Sequence, residues 1–339
     1  MKNFTKILIT VLCVMSVISL GMIGKATLQS VDHSHIKLNI AHGQAKDSLV
    51  DVSIRKMANI VNQNKTGNME VSVYSSGVLG SEKEMIELVQ AGVLDMAKVG
   101  APALEQFDNY YSVFALPYVF TGTEHYYRAM DHSAAIKEIF TRDQDQGFIA
   151  IGWYASGARN LYKKEPGPAE SPADLKGKKF RTMLSSTAMN MIECMGGAPV
   201  PMGASETYTS LQQNIIDGAE NTEMALTVDK HGEQVKSYTY TEHQYTPDIV
   251  IISTVAWNRM TDEQNDELVD ALKVSNETYK EEYAKVIGQA TKEAEEMGVK
   301  FYRIDKKPFI QAVQSMHEAF KAKGTDYARY YDDIQQYKD

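Results

Sequence analysis

Two arginines stand out among basic residues that are mostly lysine. Arg159 lies in Gly157-Ala158-Arg159-Asn160-Leu161-Tyr162, and Arg181 in Lys179-Phe180-Arg181-Thr182-Met183. Each sits in or beside an apolar strand. A guanidinium held there needs an anionic partner, because burying an unpaired charge is costly. Arginine grips a carboxylate with two parallel donors, a geometry lysine cannot copy. From the residues alone that anion is either an internal carboxylate or a bound acid. Two histidines also invite a role. His42 ends the first strand, where loops of an α/β sheet meet ligands, and His243 sits in Glu242-His243-Gln244-Tyr245. Either could touch a ligand or be a satisfied structural histidine. The motifs of covalent and phosphate chemistry are absent: no G-x-x-x-x-G-K-[ST], G-x-G-x-x-G, G-x-S-x-G or H-E-x-x-H. Cys194 is flanked by Met191, Ile192 and Met195 and reads as a core residue rather than a nucleophile.

The elements that must hold these residues alternate along the chain. Ile36 to Ala41 and Met69 to Tyr74 alternate apolar and polar, as strands do; Leu49 to Val61 has helical spacing. Ser81-x-x-Glu84 is a capping box before a helix that stops at Ala91-Gly92, and Leu94 to Val99 is a short strand. This order predicts a mostly parallel sheet covered by helices. Gly147 to Tyr154 is a further strand. A second α/β unit begins near residue 156, with a Pro- and Gly-rich break from 163 to 179, a strand from Lys179 to Thr182 and a helix from Ser185 to Met195. Asp248 to Ser253 suits a buried strand. Thr261-x-x-Gln264 opens a helical pattern that runs to Met297-Gly298, about 36 residues or ~54 Å. That exceeds one small domain, and the spacing is not a strict heptad, so the helix should lie across two units. Lys300 to Ile304 is a strand, followed by surface helices at 307–324 and 326–337.

The chain has 339 residues, 43% of them hydrophobic, and a formal net charge of −9. That composition is globular and suggests two domains, and the acidic balance argues against a nucleic-acid partner. Two cysteines exclude a disulfide framework. Lys2 and Lys6 precede an uncharged stretch from Ile7 to Gly24, with a small-x-small site at Gly24-Lys25-Ala26. This has the form of an export signal over residues 1–26; an uncleaved anchor is the alternative.

Several segments resemble those of the solute-binding proteins of TRAP (tripartite ATP-independent periplasmic) transporters, the DctP-type family. Leu175-Lys176-Gly177-Lys178-Lys179-Phe180-Arg181 is similar to their D-L-K-G-x-K-(I/F)-R, and Gly77 to Glu84 to their G-x-L-G-x-E-x-E. Phe114 to Phe120 is similar to F-x-L-P-(Y/F)-x-F, and Pro201 to Asn221 to a longer signature ending D-G-x-E-N. The matches keep family order from about residue 36 to 304. The resemblance implies an exported, periplasmic receptor with a two-lobed α/β periplasmic-binding-protein fold. Residues 34–156 with 247–285 would form one lobe and 157–246 with 286–339 the other, bridged by a helix at 261–297. Lobes of this kind close on a ligand in the cleft between them and deliver it to integral membrane subunits.

The resemblance also assigns site residues. The arginine of the K-x-R segment, which pairs with a ligand carboxylate, maps to Arg181. Arg159 maps to a second contact or a support, and Asn221 to the asparagine of D-G-x-E-N. His42, Tyr118 and the loop near Gly100 are candidates from the first lobe; Glu223 and His243 could bind hydroxyls. No cofactor or metal is implied. Sialic-acid receptors of the family carry an acidic residue near Gly100 and an aromatic near Ala204, and both positions are small here. The expected ligand is therefore a sugar acid such as a hexuronate or aldonate, with a C4-dicarboxylate as the alternative. A sensor that presents its ligand to a signalling receptor would use the same fold. An exported enzyme would need paired acid–base carboxylates, for which Glu220 and Glu223 are the nearest pair.

Overall fold

The computed structural model describes residues 35–64 and 67–338. The expected export signal at 1–26 lies outside them. The strands are β1 (Ile36–His42), β2 (Met69–Tyr74), β3 (Met96–Gly100), β4 (Phe148–Tyr154), β5 (Ala158–Lys163), β6 (Lys179–Thr182), β7 (Ala198–Pro201), β8 (Gly218–Asn221), β9 (Ser237–Tyr245), β10 (Asp248–Ser253) and β11 (Lys300–Arg303). The helices that matter below are α1 (Leu49–Gln63), α2 (Glu82–Gln90), α3 (Ser186–Cys194), α4 (Asp262–Glu296), α5 (Lys307–Lys321) and α6 (Thr325–Gln335).

Two sheets result, ordered β2-β1-β3-β10-β4 and β11-β9-β5-β8-β6-β7. In the first, β1, β2 and β3 run parallel, while β10 runs antiparallel to both β3 and β4. The parallel expectation thus holds for the first three strands. It fails at β10 because the chain re-enters this sheet from the other lobe. The chain crosses between sheets at 155–157 and 246–247, where the Ser156 hydroxyl donates to the Thr246 carbonyl at 2.5 Å.

Both expected capping boxes form. The Ser81 amide donates to Glu84 at 2.7 Å, and the Thr261 amide to Gln264 at 3.0 Å. The second opens α4, 35 residues long and ~52 Å at the usual rise. Leu268, Ala271, Leu272 and Tyr279 in its first half bury into the core of the first lobe. Ala294 near its end packs with Leu226, Tyr238 and Val299 of the second. One helix therefore braces both lobes.

The last helix departs from the expected partition. Residues 325–335 were assigned to the second lobe, but α6 packs on the first. Arg329 pairs with both oxygens of Glu138, at 2.7 and 2.8 Å, and Tyr330 donates to Glu138 at 2.6 Å. The cause lies in its buried face: Tyr330 and Ile334 join the larger core. Among the described residues no helix is long and apolar enough to cross a membrane.

Candidate ligand cleft

Arg159 and Arg181 occupy the same sheet and have opposite surroundings. Arg159 sits on β5, antiparallel to β8. Its Nε donates to Glu220 Oε2 at 2.5 Å and its Nη2 to Glu220 Oε1 at 2.9 Å and to the Glu220 carbonyl at 2.7 Å. Its Nη1 donates to Asn221 Oδ1 at 3.0 Å. Glu220 is 0% exposed. Burial alone would raise its carboxyl, yet the Arg159 charge holds it down at about 2. The internal salt bridge left open by the sequence is thus the arrangement found.

Arg181 lies on β6, between β7 and β8. It is only 6% exposed. Its Nε and Nη2 both donate to the Met202 carbonyl, at 3.1 and 2.9 Å. Among the described residues no carboxylate lies within ion-pairing distance of it. Desolvation lowers its pKa, opposed by the field of Glu220. A buried guanidinium with only neutral acceptors retains a strong demand for an anion.

The first lobe brings a different group of charges to the same cleft. Lys98, 0% exposed in the middle of β3, donates to Asp248 Oδ1 at 2.8 Å. Glu82, in the first turn of α2, accepts from the Gly100 amide at 2.9 Å. Burial raises the Glu82 carboxyl, while the charges of Lys98 and, from the other lobe, Arg181 pull it down. Glu82, Lys98 and Asp248 are not among the candidates that the sequence nominates. A lysine in the buried run Met96-Ala97-Lys98-Val99 and an aspartate heading an apolar strand were visible signals. Their convergence across 150 residues of chain was not.

His42 lies beside Lys98 in register. Its Nε2 is 3.0 Å from Asp51 Oδ1, and its buried Nδ1 has no hydrogen-bond partner. Burial, then the Lys98 charge, lowers its pKa to about 4, so the ring is neutral at physiological pH.

The remaining candidates are placed as follows. Asn221 uses its oxygen on Arg159 and on the Thr222 amide at 2.8 Å, which leaves its NH2 to donate elsewhere. His243 is buried behind Glu220, with Nδ1 2.8 Å from Thr241 Oγ1 and Nε2 3.5 Å from Glu220. Tyr118 has a left-handed backbone (φ 56°). Its amide donates to the His243 carbonyl at 2.7 Å and its hydroxyl to the Thr241 carbonyl at 3.1 Å, so it fastens the lobes together. Glu223 stands just past the end of β8. It lines a cavity of about 120 Å3 with Asn160, Tyr240, Glu242 and Tyr283.

The family of bacterial extracellular solute-binding proteins, family 7 (DctP), matches residues 40–323. The protein YiiZ of Salmonella typhimurium is 39% identical over 306 residues, 90% of this chain and 93% of its own length. A TRAP periplasmic solute-binding protein of Anaerococcus prevotii, solved with bound D-glucuronate, superposes with a TM-score of 0.86 at 34% identity, covering 89% of this chain and 98% of that one. A Bradyrhizobium homologue with bound D-galacturonate gives 0.84 at 28% identity, covering 88% and 99%. By sequence and by fold the chain belongs to the bacterial extracellular solute-binding protein family 7, as a binding protein of the TRAP type and not an enzyme.

Proposed function

We propose that this protein is a periplasmic receptor that captures a hexuronate-type sugar acid between its lobes and hands it to TRAP membrane subunits. The observation that carries this reading is Arg181, a buried guanidinium with no carboxylate partner among the described residues. A ligand carboxylate would supply the missing anion through two parallel hydrogen bonds. The Asn221 oxygen is occupied by Arg159 and the Thr222 amide, and its NH2 would donate to the same ligand. Across the cleft, the carboxylates of Glu82 and Asp248 would accept hydrogen bonds from the hydroxyls of the sugar ring. Lys98 is already committed to Asp248, so it offers no free cation for a second carboxylate. A C4-dicarboxylate would bring its second anion toward Glu82, which disfavours that class. The uronates bound by the Anaerococcus and Bradyrhizobium proteins agree with this preference. Arg159, Glu220 and His243 act as a rigid floor rather than as contacts, and Tyr118 holds the hinge.

A thermal-shift series tests the reading. Ligand at about 1,000 times its Kd adds roughly 4 kcal/mol of stability. D-Glucuronate and D-galacturonate should each raise the melting temperature by several degrees, and succinate and malate should not. A shift with succinate alone would move the protein to the dicarboxylate class.

A further inference from the structure

Glu105 follows β3 on the first lobe, and its partners belong to the second. Its Oε1 accepts from the Ser186 hydroxyl at 2.6 Å, the Thr187 hydroxyl at 2.8 Å and the Thr187 amide at 3.2 Å; its Oε2 accepts from the Ser185 hydroxyl. The next residue makes a parallel contact, with Gln106 Nε2 donating to the Leu184 carbonyl at 2.8 Å. Glu105 is 7% exposed and has no cationic partner among the described residues. Its charge is met instead by the N-terminus of α3, where free amides and the helix dipole favour an anion.

We infer that Glu105 is the closure latch of this receptor: it positions the strand end that carries Arg181 without touching the ligand. Arg181 and the donor segment Ser185-Ser186-Thr187 are joined by three residues. A ligand that draws Arg181 toward the first lobe therefore brings these donors onto Glu105. Both halves of the contact have a good alternative. On opening, the carboxylate returns to water, and Ser185 still caps α3 by accepting from the Ala188 amide at 3.0 Å. The contact can therefore form and break reversibly, as a latch requires. Its free energy biases the open–closed equilibrium and so sets how long the ligand stays.

The inference rests on the two-lobed receptor reading, and stopped-flow kinetics with D-glucuronate test it. Glu105→Ala should release ligand about tenfold faster with association little changed, and its ligand-free melting temperature should stay within a few degrees of wild type. Glu105→Gln, which keeps an acceptor, should fall between. Thr187→Val added to Glu105→Ala should have no further effect, because the two act as one contact. Release within twofold of wild type, or additive losses, would overturn the latch and leave the ligand reading intact. Should wild type fail to bind D-glucuronate, the sugar-acid reading falls. X-ray scattering of the ligand-free proteins then decides: a larger Glu105→Ala particle supports the latch, and equal sizes overturn it.

Discussion

Arg159 and Arg181 are both buried arginines on strands of one sheet, yet they do different jobs. Arg159 meets a carboxylate of its own chain, and Glu220 is held ionised by it. Arg181 meets one main-chain carbonyl and is left electrically unfinished. The first is part of the fold. On the proposed reading, the second is completed by the carboxylate of a ligand. Sequence context alone makes the two look alike; what separates them is whether the neighbouring strand supplies an acid.

The comparison predicts opposite phenotypes. Arg159→Ala strands Glu220 as a buried, unpaired charge and should cost about 3–5 kcal/mol of stability, read as a fall of roughly 10 °C in melting temperature. Arg181→Ala should leave the melting temperature unchanged or higher. Its D-glucuronate affinity should nonetheless fall at least a hundredfold by calorimetry, about 3 kcal/mol. Equal stability losses in the two variants would erase the distinction.

The pH dependence sharpens it further. The Glu220 carboxyl is depressed to about 2 in the folded protein. Its contribution is therefore present above the ordinary carboxylate pKa of about 4.3 and is lost as pH falls from there toward 2. Glu220→Gln should melt well below wild type at pH 7, and the gap should close near pH 2–3. A gap that stays constant with pH would argue against the Arg159 pair as its source.

Smaller effects probe the geometry at Arg181. Arg181→Lys keeps the charge and loses the fork. Its affinity should drop about tenfold, about 1.4 kcal/mol, and a loss under threefold would refute two-pronged recognition. Glu82→Gln should weaken D-glucuronate only a few-fold while improving succinate, since it removes an anion and keeps an acceptor. Weaker binding of both acids would place Glu82 outside the ligand's reach.

Much of this fold was legible locally. Alternation in Ile36-Lys37-Leu38-Asn39-Ile40 gave β1, and the capping boxes at Ser81 and Thr261 marked two helix starts that the structure keeps. β9 was missed: Ser-Tyr-Thr-Tyr-Thr-Glu-His-Gln-Tyr contains no aliphatic residue, yet it is buried through tyrosine rings and satisfied hydroxyls. The C-terminal helix was placed on the wrong lobe because its amphipathic pattern says that it packs and not on what.

The site divides the same way. Arg181 and Asn221, the proposed ligand contacts, sit in contiguous motifs that the sequence displays. Glu82, Lys98 and Asp248 come from three distant stretches, and Lys98 needs Asp248 beside it before its burial makes sense. Glu223, two residues beyond Asn221, lines a cavity with Asn160, Tyr240, Glu242 and Tyr283.

A crystal structure of the complex with D-glucuronate tests the central claim most directly. It should place the ligand carboxylate within about 3 Å of the Arg181 guanidinium, with Arg159 still paired to Glu220. A carboxylate seated on Arg159 or Lys98, with Arg181 left on the Met202 carbonyl, would contradict it.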